Sequence, residues 1–355
     1  MDRVLFWILG GFALAGALDR IFGNSLGLGK EFENGLYTMG SLMLAMAGIV
    51  CLAPVLAAGL KPVVLPIFRL MGADPAMFAG SILACDMGGG ALARELTPDP
   101  RAAALGGVIT GSMLGATLVF TIPVALGTLR EEDRPYFAKG ILCGIVTIPL
   151  GILVGGLTAG YPLSMVLKNL IPIVLLAALV ALGLWKAEKA MIRGFTLFGQ
   201  LVVVLATLGL GAGIFESLTG FSLLPGLAPI GEGIGTVGAI AVVLSGAFPM
   251  VYLLTRVLKG PLTAAGRALG INEAAAAGLV AALANSVASF SLVKDMNPRG
   301  KVVTLAFCVS GAFLLGDHLG FAAGFAPEIL PAMMAGKLAG GAAAVVLALI
   351  LTKKD

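Results

Sequence analysis

Long apolar runs, broken by short charged connections, organise the whole chain. Eleven segments stand out, at residues 4–22, 36–60, 73–93, 102–128, 136–160, 163–185, 191–215, 233–258, 271–293, 301–325 and 327–352. About 20 apolar residues cross a bilayer as a helix. A membrane barrel would instead show short alternating strands, and no sustained alternation is found. The pattern predicts an all-α polytopic membrane protein with about eleven membrane helical segments. The longest polar connection runs from Gly23 to Gly35, and the Pro/Gly-rich loop 216–232 suits a membrane interface. No stretch reads as a soluble domain.

The chain also matches itself at an offset of 198 residues. Lys61 pairs with Lys259, Arg69 with Arg267, Gly72 with Gly270, Asp74 with Asn272 and Gly80 with Gly278. Residues 99–101 (DPR) pair with 297–299 (NPR). Apolar runs match by chance; matched Lys, Arg, Gly and Pro positions do so far less readily. The expected organisation is a first transmembrane repeat over 1–162, a connecting segment over 163–190 and a second repeat over 191–355.

Charge chooses between two topologies. If all eleven segments cross, the Lys and Arg residues divide almost evenly between the two sides. If 73–93 and 271–293 are re-entrant or broken, six fall on one side: Arg3, Lys61, Arg69, Arg94, Arg101 and Lys168. Sixteen then fall on the other. The positive-inside rule favours this second arrangement. It places the N-terminus outside and the C-terminus in the cytoplasm, and it turns the repeats upside down relative to each other, as in many secondary transporters.

Composition agrees with a membrane protein. Of 355 residues, 59% are hydrophobic and 12% charged, about half the charged share of a soluble domain. The net charge of +4 is spread singly between apolar runs, so no nucleic-acid surface is expected. Cys51, Cys85, Cys143 and Cys308 all fall in apolar runs and read as buried thiols rather than a disulfide frame or a zinc site. A single histidine excludes the paired-histidine motifs of metallohydrolases. No metal, cofactor or catalytic residue is expected.

The candidate chemistry lies where charge interrupts apolar sequence. Asp86, in SILACDMGGG (81–90), is the one charge between Ala76 and Ala93. An intramembrane carboxylate is costly and usually faces a cavity or a partner; a pair with Arg94 is the structural alternative. Gly88, Gly89 and Gly90 would let the backbone open beside it. In the matching region, Asn285, Ser286 and Ser289, with Phe290 beside them, offer polar groups for a solute hydroxyl or, alternatively, for helix–helix hydrogen bonds. LLGDHLGF (314–321) holds Asp317 and His318, whose side chains diverge by about 100° on a helix. Lys337 lies too deep in the last segment to snorkel and is expected to pair with Asp86 or Asp317. Phe78, Phe290, Phe321 and Phe325 are candidate cation–π faces. Carboxylates in a dry cavity suit a cation, often an amine. Gly107, Gly111 and Gly115 form a helix-packing face, and such faces permit a homodimer.

The motifs MFAGSILACDMGGGALARE (77–95), GILCGIVTIPLG (140–151) and GAFLLGDHLGFAA (311–323) resemble the ethanolamine-utilisation permeases of bacterial inner membranes. FENGLYTMGSLMLAM (32–46) and GKLAGG (336–341) fit as well. The resemblance spans nearly the whole chain, which is short between Ala159 and Met165 and in the 216–232 loop. ANSVASF (284–290) departs from a family tendency toward paired amides. The resemblance implies uptake of ethanolamine, a small ammonium carrying one hydroxyl, for breakdown in a bacterial microcompartment. An H⁺- or Na⁺-coupled carrier of another small amine or amino acid is the alternative.

Overall fold

The computed structural model describes residues 2–352, and every regular element in them is a helix. Eight helical stretches are long and apolar enough to cross a membrane. They correspond to eight of the eleven predicted segments. The other three, 73–93, 271–293 and 301–325, are interrupted, and the interruptions build the site.

The N-terminal part comprises α1 (Asp2–Ile21), α2 (Leu28–Leu42) and α3 (Gly48–Leu70), the last two joined by a π-helical turn at Met43–Ala47. Asp19 caps the α1–α2 connection. Its carboxylate accepts from Leu26 N and Gly29 N, each at 2.9 Å.

The segment after α3 is a hairpin. Short α4 (Ala76–Ile82) is followed by extended Leu83 and Ala84, a turn, and α5 (Gly90–Leu96), which folds back on α4. Its two ends meet, because Thr97 Oγ1 donates to Asp74 Oδ2 at 2.8 Å. Helix α6 (Pro100–Thr128) follows, π-helical over Ala104–Gly115.

Next come α7 (Arg134–Thr158), α8 (Leu163–Lys186), α9 (Glu188–Thr219) and the 40-residue α10 (Ile230–Leu269). The side chains of Arg3, Lys259 and Arg267, three positions used in the charge count and the internal match, lie outside the described residues.

A second hairpin is formed by α11 (Glu273–Ala284) and α12 (Ser286–Leu292), which break apart at extended Asn285. Its ends also meet: Asn272 Nδ2 donates to Asp295 O at 2.8 Å, and Asn297 Nδ2 donates to Gly270 O at 3.0 Å. Asp74 and Asn272, matched in the sequence, do the same work. Each caps the first helix of its hairpin and ties it to the exit.

Segment 301–325 departs from the sequence expectation of one continuous run. It divides into α13 (Pro298–Gly311) and α14 (Asp317–Phe325), separated by Ala312–Gly316. α15 (Leu330–Leu351) closes the fold and packs with α7 and α13.

The two hairpins open at opposite ends of the molecule. The first opens beside Asp99, Arg101 and Tyr161, near the C-terminal end of α7. The second opens beside Arg299, and Lys301 there pairs with Asp133 at the N-terminal end of α7. α7 is 25 residues long, or about 37 Å at the usual rise, so its ends mark two faces. Lys61, Arg69, Arg101 and Lys168 line one cavity of about 910 Å³ on the first face.

Candidate functional site

The triple glycine answers three local demands. Gly88 adopts φ +92°, and a side chain there would collide with Ile49. A Cβ on Gly89 would lie 2.7 Å from the Ala84 carbonyl, and one on Gly90 would lie 2.7 Å from the Phe321 ring. The turn is held by Met87 N and Gly89 N, both donating to Ala84 O. Gly80 meets the Gly106 carbonyl and Gly115 meets that of Leu83, with backbones so close that neither has room for a Cβ. The expected packing face at Gly107, Gly111 and Gly115 is thus used inside the protomer, against the first hairpin. It offers no face to a second copy.

This packing presents Asp86 at the hairpin tip. Its carboxylate keeps 13% of its surface open and lies 3.7 Å from His318 Nε2, whose side chain is 3% exposed. Lys337 Nζ, fully enclosed, lies 3.0 Å from His318 Nδ1 and donates to the Ser112 carbonyl at 2.7 Å. Cys85 Sγ lies 3.9 Å from Asp86 Oδ1. Asp86, His318 and Lys337 come from three segments of the chain and form one chain of polar groups. The expected partner for Lys337 is therefore reached through the histidine.

Asp317 begins α14. It is partly buried, and its carboxylate stands close enough to Asp86 for the two charges to interact. Among the described residues, no hydrogen bond or ion pair engages it. The imidazole of the neighbouring His318 meets both Asp86 and Lys337.

The second hairpin reaches the same place. The break at Asn285 leaves carbonyls of α11 without helical partners, and buried backbone must be satisfied. Phe313 N and Leu315 N supply the bonds, to Ala282 O at 2.9 Å and Leu283 O at 2.8 Å. Gly316 packs against the Ala284 carbonyl. The hairpin tip and the break before Asp317 are therefore side by side.

The remaining predicted residues divide. Asn285 Oδ1 accepts from Val287 N at 2.7 Å and caps α12. Ser286, next to it, is fully buried, and its Oγ has no hydrogen-bond partner among the described residues. Ser289 Oγ meets Cys308 Sγ at 3.7 Å, and Phe290 is enclosed in the apolar core. Arg94 does not pair with Asp86. It donates to Phe325 O at 2.6 Å and lies over the Phe325 ring at 3.5 Å. Phe325 stacks on Phe321, and Phe78 packs edge-on against Phe68. Phe325 is thus already occupied by a cation. Sequence reasoning missed Cys85 as a member of the cluster and the Ser112 carbonyl as a ligand for Lys337. Adjacency to Asp86 was the one signal for Cys85, and a backbone acceptor leaves none.

Two helical hairpins around a buried acid–histidine–lysine cluster, among eight membrane-length helices, define a polytopic helical membrane protein of the permease type. The chain belongs to the family described as ethanolamine utilisation protein, EutH, whose model matches residues 1–351. It is 55% identical over 323 residues to a probable ethanolamine permease EutH of Listeria monocytogenes, covering 91% of this chain and 87% of that protein. It is 52% identical over 322 residues to the uncharacterized protein YxeR of Bacillus subtilis, covering 91% and 87%. Against the probable ethanolamine permease EutH of Escherichia coli it is 46% identical over 393 residues, covering 100% and 96%. That alignment is longer than the chain, in keeping with a short member. No solved structure matches it.

Proposed function

We propose that this protein carries ethanolamine across the bacterial inner membrane and binds the ammonium between Asp86 and Asp317. Asp317 carries the reading: it is a partly buried carboxylate that no protein cation engages, beside a second carboxylate open on one side. A charge in such a place is costly unless met by an opposite charge. The family and the names of its relatives supply the amine. The unpartnered Ser286 Oγ is assigned to the substrate hydroxyl. The two hairpins are read as the centres of inverted repeats, with the first hairpin opening outside and the second toward the cytoplasm.

The test is uptake of labelled ethanolamine into proteoliposomes by wild type, Asp86→Asn and Asp317→Asn, at varied pH and Na⁺. A hydrogen bond to a charged group is worth about 1.5–3 kcal/mol, so each variant should lose roughly ten- to a hundredfold in apparent affinity. Normal uptake by folded Asp317→Asn would remove that residue from the site. Ethylamine, which lacks the hydroxyl, should compete weakly with wild type and no worse with Ser286→Ala. Competition by unrelated amino acids at equal strength would favour the alternative carrier.

A further inference from the structure

The cluster around Asp86 contains a thiol, a carboxylate and an imidazole, and transport of an amine needs neither the thiol nor that combination. The ligating atoms of Cys85, Asp86 and His318 all lie within 4.8 Å of one another. Tetrahedral zinc takes N and O ligands at about 2.0–2.2 Å and S at about 2.3 Å, so neighbouring ligand atoms stand about 3.3–3.6 Å apart. The observed separations are 3.7 Å from His318 Nε2 to Asp86 Oδ1 and 3.9 Å from Cys85 Sγ to the same oxygen. Small side-chain movements bring the three to a metal. The open edge of Asp86 leaves a fourth position for water. Cys, His and carboxylate together form a borderline-soft donor set that suits Zn²⁺ rather than Mg²⁺ or Ca²⁺.

The geometry points to a divalent-cation site at Cys85, Asp86 and His318, for which Zn²⁺ is the probe, that closes Asp86 to an ammonium. The closing of Asp86 rests on the proposed placing of the amine; the metal site itself does not.

The experiment uses the purified full-length protein in detergent, titrated with Zn²⁺ against a chelating dye, and with Co²⁺ for its thiolate-to-metal absorption. The expected result is one Zn²⁺ site, absent from Cys85→Ser and from His318→Gln. Unchanged Zn²⁺ affinity in Cys85→Ser, or Co²⁺ without thiolate absorption, overturns the site. Zn²⁺ is then tested on ethanolamine uptake. Binding that leaves uptake untouched overturns the placing of the amine at Asp86, whereas normal uptake with no Zn²⁺ binding overturns the metal site alone.

Discussion

Lys337 Nζ lies 3.0 Å from His318 Nδ1, and this contact decides how the histidine serves Asp86. An ammonium has hydrogens to give and no lone pair to offer. The ring must therefore accept at Nδ1 and carry its own proton at Nε2, the nitrogen that faces the carboxylate. The Lys337→Met variant removes the ammonium, strands the Ser112 carbonyl and leaves Asp86 without a counter-charge. Removing one partner of a buried charge pair costs about 3–5 kcal/mol. Thermal unfolding in detergent should show a loss of that order. His318→Gln should lose much less, because the amide can accept from Lys337 and donate to Asp86. Equal losses in the two variants would contradict the assigned direction of these bonds.

The contact between the first hairpin and α6 leaves no room for side chains. Gly115→Ala and Gly80→Ala place a Cβ against the carbonyls of Leu83 and Gly106. Neither carbonyl can yield without moving the hairpin, so each variant should lose about 1–3 kcal/mol. Gly127, in the last turns of α6, has open space around it. Gly127→Ala should be neutral or stabilising by up to ~1 kcal/mol. Unfolding midpoints for the three variants, measured side by side, check the contrast.

Hairpins that open at opposite faces predict a labelling pattern. In a background without the four native cysteines, single cysteines replacing Arg69 and Arg101 should react with an impermeant maleimide from one side. Those replacing Lys139 and Arg299 should react from the other. Reaction of Arg69→Cys and Arg101→Cys from different sides would show that the first segment crosses the membrane.

Asp99 sits at the mouth of the first hairpin, where Arg101 hydrogen-bonds its carboxylate and holds it below the usual carboxylate range. A lowered carboxylate pKa contributes stability above its unfolded value, near 3.9, and loses it as pH falls through the folded value. The pair is largely solvent-exposed, so the effect is no more than a few tenths of a kcal/mol. Arg101→Gln should be slightly less stable than wild type at pH 7, and the difference should vanish once Asp99 is protonated. A gap between the two that persists at pH 2–3 would mean that Arg101 acts through packing instead.

Much of this was legible in the sequence. Eight apolar segments became eight long helices, and the two segments singled out as re-entrant or broken, 73–93 and 271–293, are broken. Asp74 and Asn272 were matched before their shared capping role was visible. Asp86, Asp317, His318 and Lys337 were found because charge in apolar sequence is conspicuous. The break at 312–316 was not found, because AFLLG has the composition of a helix. Its interruption follows from what it bonds to, the carbonyls of Ala282 and Leu283, some thirty residues away in the chain. The same limit applied to Cys85. A thiol in an apolar run looks inert until tertiary packing brings an imidazole and a carboxylate beside it.

The link between the second hairpin and the break before Asp317 is made by main-chain groups alone. Phe313 N and Leu315 N hold Ala282 O and Leu283 O. A proline at either place would delete the amide hydrogen that joins the two breaks. Position 313 is the more restricted of the two, because its backbone sits at φ 60° and its ring lies 5.0 Å from that of His318.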